Sequence, residues 1–175
     1  MKFNCLVINA GSSSLKFRLY KLTSSLQPTN KEENQELHEV TSGICELGPN
    51  GCFIIANNGN KIKTTMPFSD HKVAVHHLLD ELIKYQFISS VHDISVIANR
   101  IVHGGEIYKE SSILEEKDVQ IIQELSKLAP LHNPPAVSAI KSFMKLCSAK
   151  HIGVFDTAFH QSIPRINYEY AIPLE

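Results

Sequence analysis

The chain has 175 residues, 43% of them hydrophobic, enough to bury one core at the usual size of a single domain. Seventeen Lys and Arg stand against 18 Asp and Glu, a formal charge of -1, which gives no sign of a nucleic-acid footprint or a polybasic membrane surface and leaves charge recognition to local clusters. Cys5, Cys45, Cys52 and Cys147 lack both CxxC spacing and the density of a disulfide scaffold, no apolar run reaches the roughly 18 residues of a membrane span, and the N-terminal run is too short for a signal peptide, so reduced thiols in a soluble, cytoplasmic protein are expected.

Residues 3–8, Phe-Asn-Cys-Leu-Val-Ile, form a nearly unbroken apolar run, predicting a central strand buried on both faces and ending near Asn9. After the turn Ala10-Gly11-Ser12-Ser13-Ser14, Leu15, Phe17 and Leu19 alternate with Lys16, Arg18 and Tyr20, the pattern of a half-buried strand paired with the first. Thr23 to Glu36 is polar and contains Pro28 and Asn30, which predicts a solvated loop. Short strands over 38–47, 52–56 and 61–66, separated by Gly48-Pro49-Asn50-Gly51 and Asn57-Asn58-Gly59-Asn60, complete a β-meander.

Ser69-Asp70 then caps a helix in which Val73, Ala74, Leu78, Leu79, Leu82 and Ile83 recur at helical spacing. Residues 94–98 read as a buried strand. A second helix carries Val119, Ile122, Leu125 and Leu128 until Pro130 stops it, and a third starts at Pro134-Pro135 with Val137, Ile140, Phe143, Met144 and Cys147 as its core face. A last strand, 151–155, ends at Asp156. Strands first and αβ alternation afterwards predict an α/β (α+β) layer with a mixed sheet and helices against it.

Four polar clusters fall at strand ends or helix starts, where the sites of open α/β sheets gather. In Asn9-Ala10-Gly11-Ser12-Ser13-Ser14-Leu15-Lys16, glycine, hydroxyls and amide N–H groups suit phosphate oxygens, although such a turn between two strands is more often only a hairpin. It is not a Walker A loop, since the GxxxxGK[ST] order is missing and a strand follows. In Asn99-Arg100-Ile101-Val102-His103-Gly104-Gly105-Glu106, Arg100 suits a bidentate carboxylate or phosphate contact, or else a structural salt bridge. In Leu128-Ala129-Pro130-Leu131-His132-Asn133-Pro134-Pro135, prolines hold His132 at a helix start, where it can donate to an anion or serve structure alone. In Phe155-Asp156-Thr157-Ala158-Phe159-His160-Gln161, Asp156 suits a metal-holding acid or a helix cap.

Taken together, the order and wording of 7–17, 100–106, 128–135 and 154–161 resemble the acetate kinase family of the sugar kinase, Hsp70 and actin superfamily. The resemblance covers essentially the whole chain and implies a ribonuclease H-like, actin-like ATPase domain. It further implies reversible transfer of the ATP γ-phosphoryl group to acetate, giving acetyl phosphate and ADP with Mg²⁺. By resemblance, Asn9 and Asp156 hold the metal, and Ser12, Ser14 and Lys16 support phosphate. Arg100 binds carboxylate or phosphoryl, His132 donates to phosphoryl oxygens, and Val102 and Leu131 line the methyl pocket, which makes Asp156, Arg100 and His132 the catalytic set. Asn99 stands where the family has a histidine. The resemblance also implies that 1–175 is an N-terminal domain, that the nucleotide-binding C-terminal domain follows it in the family, and that the full-length enzyme is a homodimer. Two alternatives stay open: a propionate or butyrate kinase of the same family, and a non-catalytic anion-binding module.

Overall fold

The computed structural model describes residues 3–26, 33–57 and 59–172. The described strands are β1 (Phe3–Ala10), β2 (Ser14–Leu26), β3 (Glu33–Glu46), β4 (Cys52–Asn57), β5 (Asn60–Thr65), β6 (Ile94–Ile101), β7 (Ser112–Leu114) and β8 (Lys150–Phe155). They form one mixed sheet in the order β5-β4-β3-β2-β1-β6-β8-β7. The meander β1 to β5 is antiparallel throughout, while β6 and β8 run parallel to β1. Helices α1 (His71–Lys84), α2 (Glu116–Glu124) and α3 (Asn133–Leu146) make the crossovers that parallel strands require.

Each element follows from local chemistry. The Asp70 carboxylate accepts from the Val73 N–H at 2.9 Å and starts α1, as the cap signal predicts. Pro134 and Pro135 occupy the first turn of α3, where their missing N–H groups cost nothing. The four cysteines are free thiols.

Strand alternation puts Leu6, Ile8, Leu15, Phe17, Leu19 and Ile97 on one face, in a core shared with Leu78 and Leu82 of α1 and Phe143 of α3. A second core joins Ile101 and Phe155 to Val119 and Ile122 of α2 and to Val137 and Ile140 of α3. All three helices therefore cover the same face. The opposite face carries Val7, Asn9, Lys16, Ile44 and Ile54 at the sheet surface, lining a groove of about 540 Å³. The expectation that β1 is buried on both faces is corrected accordingly: its odd residues Cys5, Val7 and Asn9 are only half-buried.

Three further expectations change. The polar stretch read as a loop is largely strand, because β2 runs to Leu26 and β3 starts at Glu33, pairing from Leu26–Glu33 inward with one register shift between Leu19 and Tyr20; backbone ladder bonds tolerate Thr and Ser in the strand. Residues 27–32 lie outside the described region. The buried strand extends to Ile101, so Asn99 and Arg100 belong to β6 rather than to a following loop. Helix α2 ends at Glu124 and tightens into a 3₁₀ turn over Leu125–Lys127, and the edge strand β7, too short to show in the sequence, pairs with β8.

Candidate active site

Because β1, β6 and β8 are parallel neighbours, their C-terminal ends bring Asn9, Arg100 and Asp156 to one edge of the sheet. The Arg100 guanidinium donates from Nε to Asp156 Oδ1 at 3.0 Å and from Nη2 to Oδ2 at 2.7 Å, a forked pair, and from Nη1 to Asn9 Oδ1 at 3.3 Å. The bond to Asp156 raises the Arg100 pKa above its ordinary value. The two side chains of the ion pair are 48% and 40% exposed, so the pair adds at most about 1 kcal/mol and can exchange partners at little cost.

Lys16 stands opposite Asn9 in the β1–β2 register and projects on the same uncovered face. The turn between them is closed by Gly11 N–H donating to the Ser14 carbonyl at 2.8 Å, and Leu47 N–H donates to the Ser13 carbonyl at 2.9 Å. That leaves the Ser12 hydroxyl in solvent and Ser14 half-buried. His71, buried in the first turn of α1, places Nε2 at 2.8 Å from the Gly11 carbonyl. Burial pushes the His71 pKa down, against the opposing effect of that bond, so a neutral ring donating from Nε2 holds the turn.

The turn after β6 is equally tied. Asn133 Oδ1 accepts from His103 N–H at 3.2 Å and Asn133 Nδ2 donates to the His103 carbonyl at 2.9 Å. Gly104 N–H donates to Thr157 Oγ1 at 3.0 Å, next to Asp156. Gly104 is required there, since an added Cβ would press on Phe155 and Tyr108, and Gly105 takes φ +61°, a conformation that favours glycine. Val102 is half-buried in this turn, whereas Leu131 is 70% exposed on the connection before α3. His132 is exposed at the N-terminus of α3, and its ring makes no hydrogen bond to the Arg100 network among the described residues.

Asn99 is the neighbour of Arg100 in sequence but lies on the covered face, 2% exposed, donating from Nδ2 to the Ile97 carbonyl at 3.0 Å and lying 3.4 Å from His151 Nδ1. Its side chain supports the strand, not the guanidinium. The residues that sequence reading passed over are His71, Asn133 and Thr157. Asn133 and Thr157 stand inside the clusters already singled out, but only the tertiary contacts reveal what they hold, and His71 carried no signal beyond its place after a helix cap.

Among the described residues no preformed cluster of three His, Cys, Asp or Glu side chains can cage a metal. Magnesium asks for less: one or two carboxylates, with the remaining positions taken by water and phosphate oxygens. The Asp156 carboxylate and the Asn9 amide oxygen are hard oxygen donors that both accept from the Arg100 guanidinium, and a donor set of that kind fits Mg²⁺.

A family model described as the acetokinase family matches residues 4–175. Among curated proteins, the acetate kinase of Mycoplasma capricolum subsp. capricolum is 41% identical over 170 residues, 96% of this chain and 40% of its own. Acetate kinase 2 of Listeria monocytogenes serotype 4b is 42% identical over 171 residues, again 96% and 40%. Among solved structures, Porphyromonas gingivalis acetate kinase superposes with a TM-score of 0.80 at 33% identity, covering 98% of this chain and 41% of that one. A propionate kinase from Francisella tularensis subsp. tularensis gives 0.75 at 29%, covering 97% and 41%. The chain spans about 40% of the length of the curated relatives it matches.

Proposed function

The chain belongs to the acetokinase family and has its actin-like ATPase fold, and from that premise we propose that it carries the acyl-phosphate side of a kinase that moves the ATP γ-phosphoryl group reversibly to acetate. The observation that carries this reading is the forked Arg100–Asp156 pair with Asn9 alongside, at the ends of three parallel strands. In-line phosphoryl transfer needs positioning and charge neutralisation more than covalent chemistry. Arg100 turns its donors from Asp156 to the substrate carboxylate or the phosphoryl oxygens, which the half-exposed pair permits. His132 donates to phosphoryl oxygens, Lys16, Ser12 and Ser14 attract and position phosphate at the β1–β2 turn, and Val102 and Leu131 bound the acetate methyl. Asp156 and Asn9 hold Mg²⁺, which neutralises phosphate charge when bound.

Acetate is preferred to propionate because the relatives at 41% and 42% identity are acetate kinases, while the propionate kinase structure is the more distant likeness. The reading includes a cytoplasmic enzyme that pairs with a second copy in its full length. It also assigns the nucleotide side to the part of the relatives' length that this chain does not span. The 175-residue chain should therefore bind acetyl phosphate in the presence of Mg²⁺, measured by calorimetry, while a coupled assay detects almost no ADP-dependent turnover. Absence of acetyl phosphate binding would overturn the proposed site, and turnover typical of a complete kinase would overturn the division of labour.

A further inference from the structure

The turn after β6 is held by a buried residue outside the catalytic set. Asn133, the first residue of α3, is wholly buried. Its side-chain amide closes a two-bond ring with the backbone of His103, accepting from the N–H at 3.2 Å and donating to the carbonyl at 2.9 Å. This is the pairing that a neighbouring strand would make, supplied by one side chain. A single bond would let the turn pivot, whereas two bonds to one residue fix both distance and orientation.

The clamp joins two groups of site residues. On one side Arg100 and Val102 lie on the strand and turn leading into His103, and Gly104 is anchored in turn to Thr157, next to Asp156. On the other side Leu131 and His132 immediately precede Asn133. The His132 ring makes no hydrogen bond to the Arg100 network among the described residues, so its separation from Arg100 is set by the backbone, held by this clamp together with the packing of Val137 and Ile140 on Ile101. A residue needed only to fill space here would be apolar, like Ala136 and Val137 in the same helix. A buried amide is costly unless both of its ends are paired, and here both are, which selects one arrangement of turn and helix.

We propose that Asn133 is a positioning residue that sets the distance between His132 and Arg100 so that both reach one phosphoryl group. The proposal rests on the functional reading above. It is tested on the 175-residue chain with Asn133→Ala and Asn133→Asp, the second keeping the acceptor for the His103 N–H. Two readouts are used: calorimetric affinity for acetyl phosphate with Mg²⁺, and NMR resonances of the His132 ring and of the 100–104 backbone in the ligand-free protein.

Asn133→Ala should weaken acetyl phosphate about tenfold in the folded fraction and shift the resonances of His132 and of 100–104, leaving those of Asn9 to Lys16 in place. Asn133→Asp should recover part of the affinity, and it carries the test if the alanine variant does not fold. Wild-type affinity in a folded variant, or unmoved His132 and 100–104 resonances, would overturn the clamp. Failure of the unaltered chain to bind acetyl phosphate is a different result: it sinks the functional reading, while the ligand-free resonances still decide the role of Asn133.

Discussion

At the scale of single residues, Arg100 shows how a charge can be held ready without being locked in place. A planar guanidinium grips both oxygens of Asp156 and reaches Asn9 Oδ1, in a pair that is nearly half exposed. A lysine at this position keeps the charge but loses the fork. Arg100→Lys should weaken acetyl phosphate binding about tenfold, while unfolding free energy in urea changes by no more than about 0.5 kcal/mol, because an exposed pair contributes little to stability. Unchanged affinity would remove Arg100 from the site. The type of residue and its position were legible in the sequence. That its partner is Asp156, 56 positions away, was not, since the contact exists only after β6 and β8 lie side by side.

At the scale of elements, the sheet has one covered and one open face, and the difference is written in strand alternation. Gly43 sits in β3 against β2 and β4, paired with Phe17 on one side and Ile55 on the other. An added Cβ would run into the Ile54 carbonyl oxygen and the Phe17 ring, both fixed within the sheet. Gly43→Ala should cost roughly 2 to 3 kcal/mol by urea denaturation, and a loss under about 0.5 kcal/mol would show that the strands can part there. The sequence presents Gly43 only as a glycine in a strand-like run. The helices were easier to read, because caps and apolar spacing are local. The strands around 23–26 and 33–36 were harder, since polar residues form a ladder only when the partner strand is present.

For the whole molecule, stability should respond to pH through buried imidazoles. His151 is 3% exposed beside Asn99, and its Nε2 and the Asn99 Oδ1 have no hydrogen-bond partner among the described residues. Burial lowers the His151 pKa from 6.5 to about 4. Folding thus keeps the ring neutral where the unfolded chain would take up a proton. The contribution is whole above pH 6.5 and is lost as pH falls toward 4. His71 and His77 are shifted down as well, both chiefly by burial, and act in the same direction. Urea midpoints should hold steady from about pH 8 to 7 and fall steadily from about pH 6 to 4.5, and His151→Leu should flatten part of that fall. A midpoint independent of pH across that range would contradict a neutral buried His151.

The sequence by itself determined the helices, most of the strands and the four polar clusters, because each depends on residues within about a dozen positions of one another, and the order of those clusters along the chain carried the family likeness. The family likeness already placed Asn9, Arg100 and Asp156 in one site; only the tertiary structure decided that Arg100 bonds directly to both while Asn99 turns away, and that His71 and Asn133 fasten the two turns beside them. The reason is physical: which face a strand residue occupies, and which distant backbone a buried side chain can reach, are set by sheet register and helix packing, and neither exists until the chain has folded.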